Sequence, residues 1–343
     1  MSLSQLLRNK LDTCNWMHVT AVLLWIILVV PLAITLKHTS NTSATAEKTP
    51  SAPSVGSETI TQTTTFTTTR KNLGIYDYGQ NTIDQQVTDL HPSILAWFER
   101  WNITSYGKLN YACSNGFTPL VTWESWDGQN GATNPYGLSD IAAGKYDSLI
   151  TRYADAVNST CHNSTVLVRF DHEMELQAGY TAWYPWQGYP TDYVAAYRHV
   201  VTLFRQHDPA VKFIWSPNRY TDITKTYYPG SDFVDFVSMT LNMPVETTRF
   251  PGGPTELYAA NSSIENYGKP IIISEIAVDR TDQATKQQWI KEAYSLLENN
   301  NKIVGMVWFN SQEGLTDYRV NATPAIYETY KEQSAILLSE NKK

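Results

Sequence analysis

Apolar runs of β-strand length recur along the chain from residue 71, and amphipathic stretches of helical length lie between them. This alternation is typical of parallel βα units. The predicted strands are residues 73–78, 118–124, 165–170, 211–216, 234–240, 270–276 and 303–310, with 103–106 as a weaker eighth. The predicted helices include residues 139–157, 192–206, 282–299 and 324–339.

Eight strands within about 270 residues predict an α/β fold, a (β/α)8 TIM barrel that covers residues 71–343. A doubly wound open sheet shows a similar alternation and is the alternative. Such a sheet carries a GxGxxG turn after its first strand when it binds a nucleotide, and this sequence has no such turn there. The pattern therefore favours the barrel.

Residues 17–36 form an uncharged apolar run of about the length that a bilayer core requires. Residues 1–16 carry Arg8 and Lys10, and residues 37–70 are dominated by Thr and Ser. We expect a short cytoplasmic tail, a transmembrane signal anchor and a disordered Ser/Thr-rich stalk. The alternative for the apolar run is a cleaved signal peptide, with a small-x-small site at residues 44–46.

Potential glycosylation sites accompany the stalk. Asn-x-Ser/Thr sequons begin at Asn41, Asn102, Asn158, Asn163, Asn261 and Asn321. The pattern predicts a single-pass type II membrane glycoprotein whose C-terminal domain is extracellular or luminal. Cys113 and Cys161 lie in that domain, and they either form a disulfide or remain two free buried thiols.

The formal net charge is −7, and no basic run occurs beyond the N-terminus, so nucleic acid is excluded as an expected partner. The chain has 11 Trp and 21 Tyr residues. Their flat rings suit stacking on sugars, although packing in the core uses most aromatic residues of any barrel.

A glutamate lies at or just after the C-terminal end of two predicted strands on opposite sides of the barrel. Strand 165–170 is followed by Asp171, His172 and Glu173, and strand 270–276 ends around Glu275. Barrel active sites form at the C-terminal ends of strands. These strands count as the fourth and the seventh, so the two glutamates face each other across the mouth. Glycosidic bond hydrolysis uses two carboxyl groups that flank one carbon. A single strand-end glutamate indicates only a solvated side chain, whereas this pair predicts a glycosidase dyad.

Several segments resemble glycoside hydrolase family 26, in the same order along the chain. They are residues 169–174 (RFDHEM), 183–186 (WYPW), 215–218 (WSPN), 228–235 (YPGSDFVD), 273–275 (ISE) and 308–310 (WFN). The family contains β-mannanases and related β-glucanases and β-xylanases. The resemblance implies a (β/α)8 fold, net retention, Glu173 as acid/base, Glu275 as nucleophile and no cofactor.

Several neighbours are candidates for the substrate site. Arg169 could keep a carboxylate ionised, or form a structural ion pair inside the barrel. His172 could hydrogen-bond the nucleophile, as the resemblance implies, or be a core histidine. The sequence around His172 lacks the HExxH spacing, so no metal is expected.

Four tryptophans and one asparagine complete the predicted site. Trp308 is expected to form the floor beneath the sugar, and Trp186 to bind substrate. Trp123 and Trp183 could either bind sugar or pack in the core. Asn242 ends the sixth predicted strand.

The chain departs from the family at two places. Glu175-Leu176 stands where Asn-Gly usually follows the His-Glu-Met segment. Thr240-Leu241-Asn242 stands where a Tyr-Asn pair usually ends the sixth strand, and that tyrosine supports the nucleophile. Tyr220 or Tyr228 could supply the missing hydroxyl.

The expected function is a retaining endo-β-glycosidase at the cell surface that hydrolyses β-mannan, β-xylan or β-glucan. One alternative is a catalytically inactive barrel that binds glycans. The other is a transglycosylase that remodels wall polymers.

Overall fold

The computed structural model describes residues 66–76, 92–128, 134–162, 164–176, 184–243, 253–279 and 282–340. All of them belong to the compact unit formed by residues 60–343. The predicted tail 1–16, the predicted anchor 17–36 and the stalk up to residue 65 lie outside the described residues. Within the described part, no helix is both long and apolar enough to span a bilayer.

Parallel strands of the described residues form a closed sheet. They are β1 (Asn72–Tyr76), β2 (Ile94–Arg100), β3 (Thr118–Glu124), β4 (Leu167–Phe170), β5 (Lys212–Trp215), β6 (Phe236–Val237), β7 (Thr240–Met243), β8 (Ile271–Val278) and β9 (Ile303–Trp308). Neighbours pair in sequence from β1 to β6, β9 pairs with β1, and β8 pairs with β9, β7 and β6. Because β6 and β7 are two pieces of one interrupted strand, the sheet is an eight-stranded barrel. The predicted barrel is confirmed, and the open sheet is excluded.

Helices follow the strands. They are α1 (Tyr106–Ser114), α2 (Leu138–Ala142), α3 (Asp147–Cys161), α4 (Pro190–His207), α5 (Asp222–Lys225), α6 (Gly253–Ala259), α7 (Gln283–Asn299) and α8 (Pro324–Glu340). The single helix predicted at 139–157 is divided into α2 and α3, because Gly144 between them has a φ of +83°. A hairpin of β10 (Gln312–Glu313) and β11 (Thr316–Asp317) follows β9.

The second barrel strand is β2, and the weaker strand predicted at 103–106 was wrong. Residues 103–105 are loop, and Tyr106 begins α1. β2 lacks the uniformly apolar pattern of a buried parallel strand because it contains Glu99. That carboxylate is nevertheless buried, and its Oε2 accepts a hydrogen bond of 3.0 Å from Trp97 Nε1.

Alternation along each strand decides which side chains enter the barrel. In β4, Arg169 points inward, and its Nε donates to Oγ1 of Thr122 on β3 at 2.8 Å. Phe170, the next residue, packs on the other face against Tyr197 of α4, with ring centroids 6.0 Å apart. Successive side chains of a strand therefore face different surroundings: one enters the site, and the next packs between the sheet and the helices.

Cys113 near the end of α1 and Cys161 at the end of α3 form a disulfide, with their Cα atoms 5.3 Å apart. Of the two possibilities that the sequence leaves open, the structure contains the bridge.

Candidate active site

Glu173 follows β4 in an unusual backbone conformation. Its φ is +55°, and that of Asp171 is +42°. Left-handed backbone at a residue other than glycine costs on the order of 1–3 kcal/mol and persists only where surrounding contacts hold it. Here the Glu173 N–H donates to the Ser216 carbonyl at 2.8 Å. The Asp171 carboxylate accepts hydrogen bonds from the N–H and the hydroxyl of Ser125. These contacts fix the loop that carries Glu173.

The Glu173 carboxylate is half-buried, and neutral groups hold it. Its Oε1 accepts one hydrogen bond from Asn218 Nδ2 at 2.9 Å and another from Thr240 Oγ1 at 2.6 Å. The side chain of Gln187 donates to the Glu173 carbonyl at 2.8 Å. Both side chains that donate to this carboxylate are uncharged.

Glu275 lies in the middle of β8, is only 6% exposed, and has a charged partner. Nη2 of Arg169 donates to its Oε1 at 2.6 Å, and Asn242 Nδ2 donates to its Oε2 at 3.0 Å. Burial raises the pKa of Glu275 to about 7; the Arg169 guanidinium opposes this rise, and the charge of Glu173 adds to it. The carboxylate of Glu275 is therefore oriented through both of its oxygens.

The two carboxylates approach each other closely. One ring nitrogen of His172, one carboxylate oxygen of Glu173 and one of Glu275 all lie within 4.8 Å of one another. A sugar carbon placed between the carboxylates would have one on each side. Among the described residues these three also form the group that could hold a metal ion. Arg169, bonded to Glu275, places a positive charge beside that position and opposes a cation there.

His172 is buried and does not bond either glutamate. Burial lowers the pKa of His172 well below its usual value, and the nearby Arg169 charge lowers it further. Its Nδ1 has no hydrogen-bond partner in the described structure and lies 4.0 Å from Oε1 of Glu124. Trp186 Nε1 donates to the His172 carbonyl at 2.7 Å. A neutral imidazole therefore lines the site.

Glu124, at the end of β3, is a third carboxyl group of the site, and the sequence analysis missed it. It is 3% exposed, and burial raises its pKa to about 7; the charges of Arg100 and Arg169 oppose the rise. The strand-end rule, applied to β3, would have found it. Asn218 and Thr240 were also missed as partners of Glu173, because only the closed barrel brings their strands to β4.

Two of the predicted tryptophans, Trp308 and Trp123, pack away from the barrel mouth. Trp308 is fully buried, donates its Nε1 to the Tyr318 carbonyl at 2.9 Å and packs against Tyr330 of α8. Trp123 stacks on Tyr153 of α3 with ring centroids 4.8 Å apart. Both rings face the helices. Trp308 therefore does not form the predicted floor beneath the sugar, and of the two possibilities for Trp123 the structure contains packing in the core.

Phe309, the residue after β9, is the one whose ring faces the inside. It stacks on Tyr76 with centroids 4.7 Å apart, and Phe98 packs against both rings. Phe98 in turn lies beside His172. Trp186 is 1% exposed and stacks on Tyr184, so it supports the site from behind. Trp183 lies outside the described residues.

Asn242, predicted as a substrate-binding residue, donates to Oε2 of Glu275, and neither candidate replaces the missing tyrosine. The Tyr220 hydroxyl donates to the Ser238 carbonyl at 3.0 Å. Tyr228 packs against Tyr267, with ring centroids 4.5 Å apart. Asn242 alone of this group supplies a hydrogen bond to Glu275.

Three comparisons show which known proteins this chain is similar to. The family model described as "Glycosyl hydrolase family 26" matches residues 99–251. Endoglucanase H of Acetivibrio thermocellus is 31% identical over 239 residues, which are 64% of this chain and 24% of that protein. Mannan endo-1,4-β-mannosidase A and B of Caldalkalibacillus mannanilyticus is 27% identical over 176 residues, 46% of this chain and 32% of that protein.

The chain thus spans about a quarter to a third of the length of these curated relatives. Among solved structures, a modular endo-β-1,4-mannanase from Cellulomonas fimi superposes with a TM-score of 0.58. The match covers 78% of this chain and 71% of that one at 17% identity, so it bears on the fold alone.

Proposed function

We propose that the chain, whose residues 99–251 match the model of glycosyl hydrolase family 26, is a member of that family and a retaining endo-β-glycosidase that cleaves a β-linked polysaccharide by double displacement. The observation that carries the proposal is the approach of Glu173 and Glu275 oxygens to within 4.8 Å. Retaining enzymes hold their carboxyl groups about 5–5.5 Å apart, whereas inverting enzymes need roughly 6.5–9.5 Å to admit water. The observed approach fits the retaining arrangement.

In the first step, Glu275 attacks the anomeric carbon and forms a glycosyl ester. The bond from that carbon to the leaving oxygen breaks, and the oxygen takes the proton of Glu173. Because Oε1 of Glu173 already accepts two hydrogen bonds, the proton is carried on Oε2. Arg169 and Asn242 hold Glu275 in the attacking orientation.

In the second step, water attacks the same carbon from the side of Glu173. Glu173, now a carboxylate, takes a proton from the water, and the bond to Glu275 breaks. Two inversions at one carbon return the original β configuration. The neutral environment of Glu173 and the charged environment of Glu275 suit these unequal roles.

The substrate class is proposed from the named relatives, one an endoglucanase and two endo-acting on mannan. We therefore place β-mannan and β-glucan first and β-xylan third. The test incubates the full protein chain with a panel of β-mannan, β-xylan, mixed-linkage β-glucan and β-1,3-glucan. It measures the new reducing ends and the sizes of the sugar products. Glu275→Gln is the matched inactive control. Cleavage of internal glycosidic bonds in at least one of these polysaccharides supports the proposal.

The same panel separates the alternatives. Binding of every polymer without new reducing ends would contradict hydrolysis and support a glycan-binding barrel. Products longer than the starting oligosaccharide, formed when acceptor sugars are added, would support transglycosylation instead.

We also propose that the chain is a single-pass type II membrane protein with the barrel outside the cytosol. The uncharged run at 17–36 and the Cys113–Cys161 disulfide support this location, because disulfides persist in oxidising compartments. Carbonate extraction of membranes that contain the full chain tests it. The full chain should stay with the membrane and a chain lacking 17–36 should be released, whereas release of both would contradict an anchor.

A further inference from the structure

We propose that Glu175 and Arg219 form a positioning pair that holds Asn218 and Thr240 against Oε1 of Glu173 and so directs the acid proton to Oε2. The inference rests on the proposed function. It concerns residues that do not touch the reacting atoms themselves, and Glu175 stands at one of the places where the chain departs from its family.

The first half of the pair is a buried carboxyl group two residues beyond the acid/base. Glu175 is 6% exposed, and its Oε1 accepts a hydrogen bond of 2.6 Å from the backbone N–H of Arg219. Burial raises the pKa of Glu175 to about 7, and backbone hydrogen bonds from the Asn218–Arg219 segment oppose the rise. The side chain thus ties the loop after β4 to the loop after β5.

The second half is the guanidinium of Arg219. Its Nη1 donates to the Asn218 carbonyl at 2.8 Å and to the Thr240 carbonyl at 2.8 Å. Asn218 follows β5, and Thr240 begins β7. One planar group therefore fixes the backbone of two residues that come from different strands.

The side chains of those same two residues donate to Oε1 of Glu173. Glu173 itself sits in left-handed backbone, with a φ of +55°, so its placement depends on such outside contacts. With both donors on Oε1, that oxygen acts as an acceptor and Oε2 is left to carry the proton toward the leaving group. Misplacing a catalytic acid by a fraction of an ångström weakens proton transfer before it weakens attack by Glu275.

The experiment compares leaving groups rather than total rates. The kcat/KM of Arg219→Ala is measured on a phenyl β-glycoside, which needs protonation, and on the 2,4-dinitrophenyl β-glycoside of the same sugar, which does not. We expect a fall of about tenfold or more on the first and less than about twofold on the second. Glu175→Ala should behave in the same way. The ratio of the two rates is independent of how much of each variant is folded.

Two conservative variants sharpen the result. Arg219→Lys keeps a cation near both carbonyls, and Glu175→Gln keeps an oxygen that accepts from the Arg219 N–H, so both should recover most of the lost rate on the phenyl glycoside. Arg198→Ala is the matched control, because Arg198 also donates to a backbone carbonyl, that of Pro229 at 2.6 Å. It should leave the rate ratio unchanged.

Equal losses on both glycosides in Arg219→Ala and Glu175→Ala, with an active wild-type chain, would overturn the positioning role and leave the proposed function intact. A wild-type chain that cleaves neither glycoside nor any polymer of the panel would overturn both.

Discussion

The cleft at the barrel mouth has two walls, one that carries Glu275 and one that carries Glu173, and they hold these glutamates in opposite ways. On one wall, Glu275 lies within a regular strand, is buried, and pairs with the guanidinium of Arg169. On the other, Glu173 lies beyond the end of its strand in left-handed backbone, is half-buried, and accepts hydrogen bonds from the neutral Asn218 and Thr240. The wall with Glu275 is a regular strand with a charged partner, and the wall with Glu173 is a loop held by neutral groups.

This difference shows how one barrel mouth can give two carboxyl groups unequal tasks. A nucleophile must be ionised when the sugar arrives, and a neighbouring cation favours that state. An acid/base must change protonation twice in each cycle, which a tightly bound cation would oppose. Substitutions on the charged wall should therefore cost more activity than substitutions on the neutral wall.

The largest effect is expected for Glu275→Ala. Without the nucleophile no glycosyl ester forms, so turnover should fall by about 10⁴-fold or more on good and poor leaving groups alike. Steady-state kinetics on the polysaccharide and on a dinitrophenyl glycoside measure the loss. Retention of substantial activity on either would place the nucleophile elsewhere.

Glu173→Ala should be more selective. Loss of the general acid should cost about 10²–10⁴-fold on the polysaccharide and little in the glycosylation step of a dinitrophenyl glycoside. Azide should restore turnover of the activated substrate by attacking the glycosyl ester, and the product should be a β-glycosyl azide. Equal losses on both substrates, without rescue, would contradict the acid/base assignment.

The coupling between the walls predicts a shift in pH dependence. Burial raises the pKa of Glu275 to about 7, and the charge of Glu173 contributes to that rise. Glu173→Gln removes that charge, so the pKa of Glu275 should fall, and the acid limb of kcat/KM on a dinitrophenyl glycoside should move to lower pH by about one unit. Glu332→Gln, which removes the charge of an exposed glutamate on α8, is the control. An unmoved or upward-shifted limb would show that the two carboxyl groups do not interact.

The smallest effect concerns Glu99, a buried glutamate outside the cleft. Burial raises the pKa of Glu99 from 4.5 to about 7. Below about pH 4.5 the carboxyl group is protonated in both the folded and the unfolded state, so burial of a charge costs nothing. As the pH rises from about 4.5 to 7 the unfolded state ionises first, and above about 7 the folded chain carries the buried charge at its full cost. Glu99→Gln keeps the acceptor for Trp97. It should raise the free energy of unfolding by about 2 kcal/mol at pH 8 and by almost nothing at pH 4.5.

Denaturant unfolding at the two pH values measures this change, with the exposed Glu332→Gln as control. Activity should not change, because Glu99 has no contact with the dyad in the described structure. A stabilisation that is equal at both pH values would show that charge burial is not its cause.

The sequence revealed most of the charged wall and little of the neutral one. Glu173, Glu275 and Arg169 could be predicted because strand ends and strand alternation are local properties of the chain. Asn218, Thr240 and Arg219 could not be assigned to Glu173, because their meeting depends on how β5 and β7 close against β4.

The floor role predicted for Trp308 was wrong for a related reason. The WFN motif places two aromatic rings, Trp308 and Phe309, next to each other. Because successive residues of a strand face opposite sides, only one of the two can face the site, and the motif does not say which. The closed sheet turns Trp308 toward α8 and Phe309 inward. The strand at Ile94–Arg100 was missed because its buried Glu99 interrupts the apolar pattern.

The most direct test of the two-wall account is the configuration of the first product. Proton NMR can follow the anomeric signals of a susceptible oligosaccharide during the first minutes after the full chain is added. The account predicts that the β-anomer appears first and the α-anomer later, by mutarotation. First appearance of the α-anomer would mean inversion at a single step, and would contradict Glu275 as nucleophile.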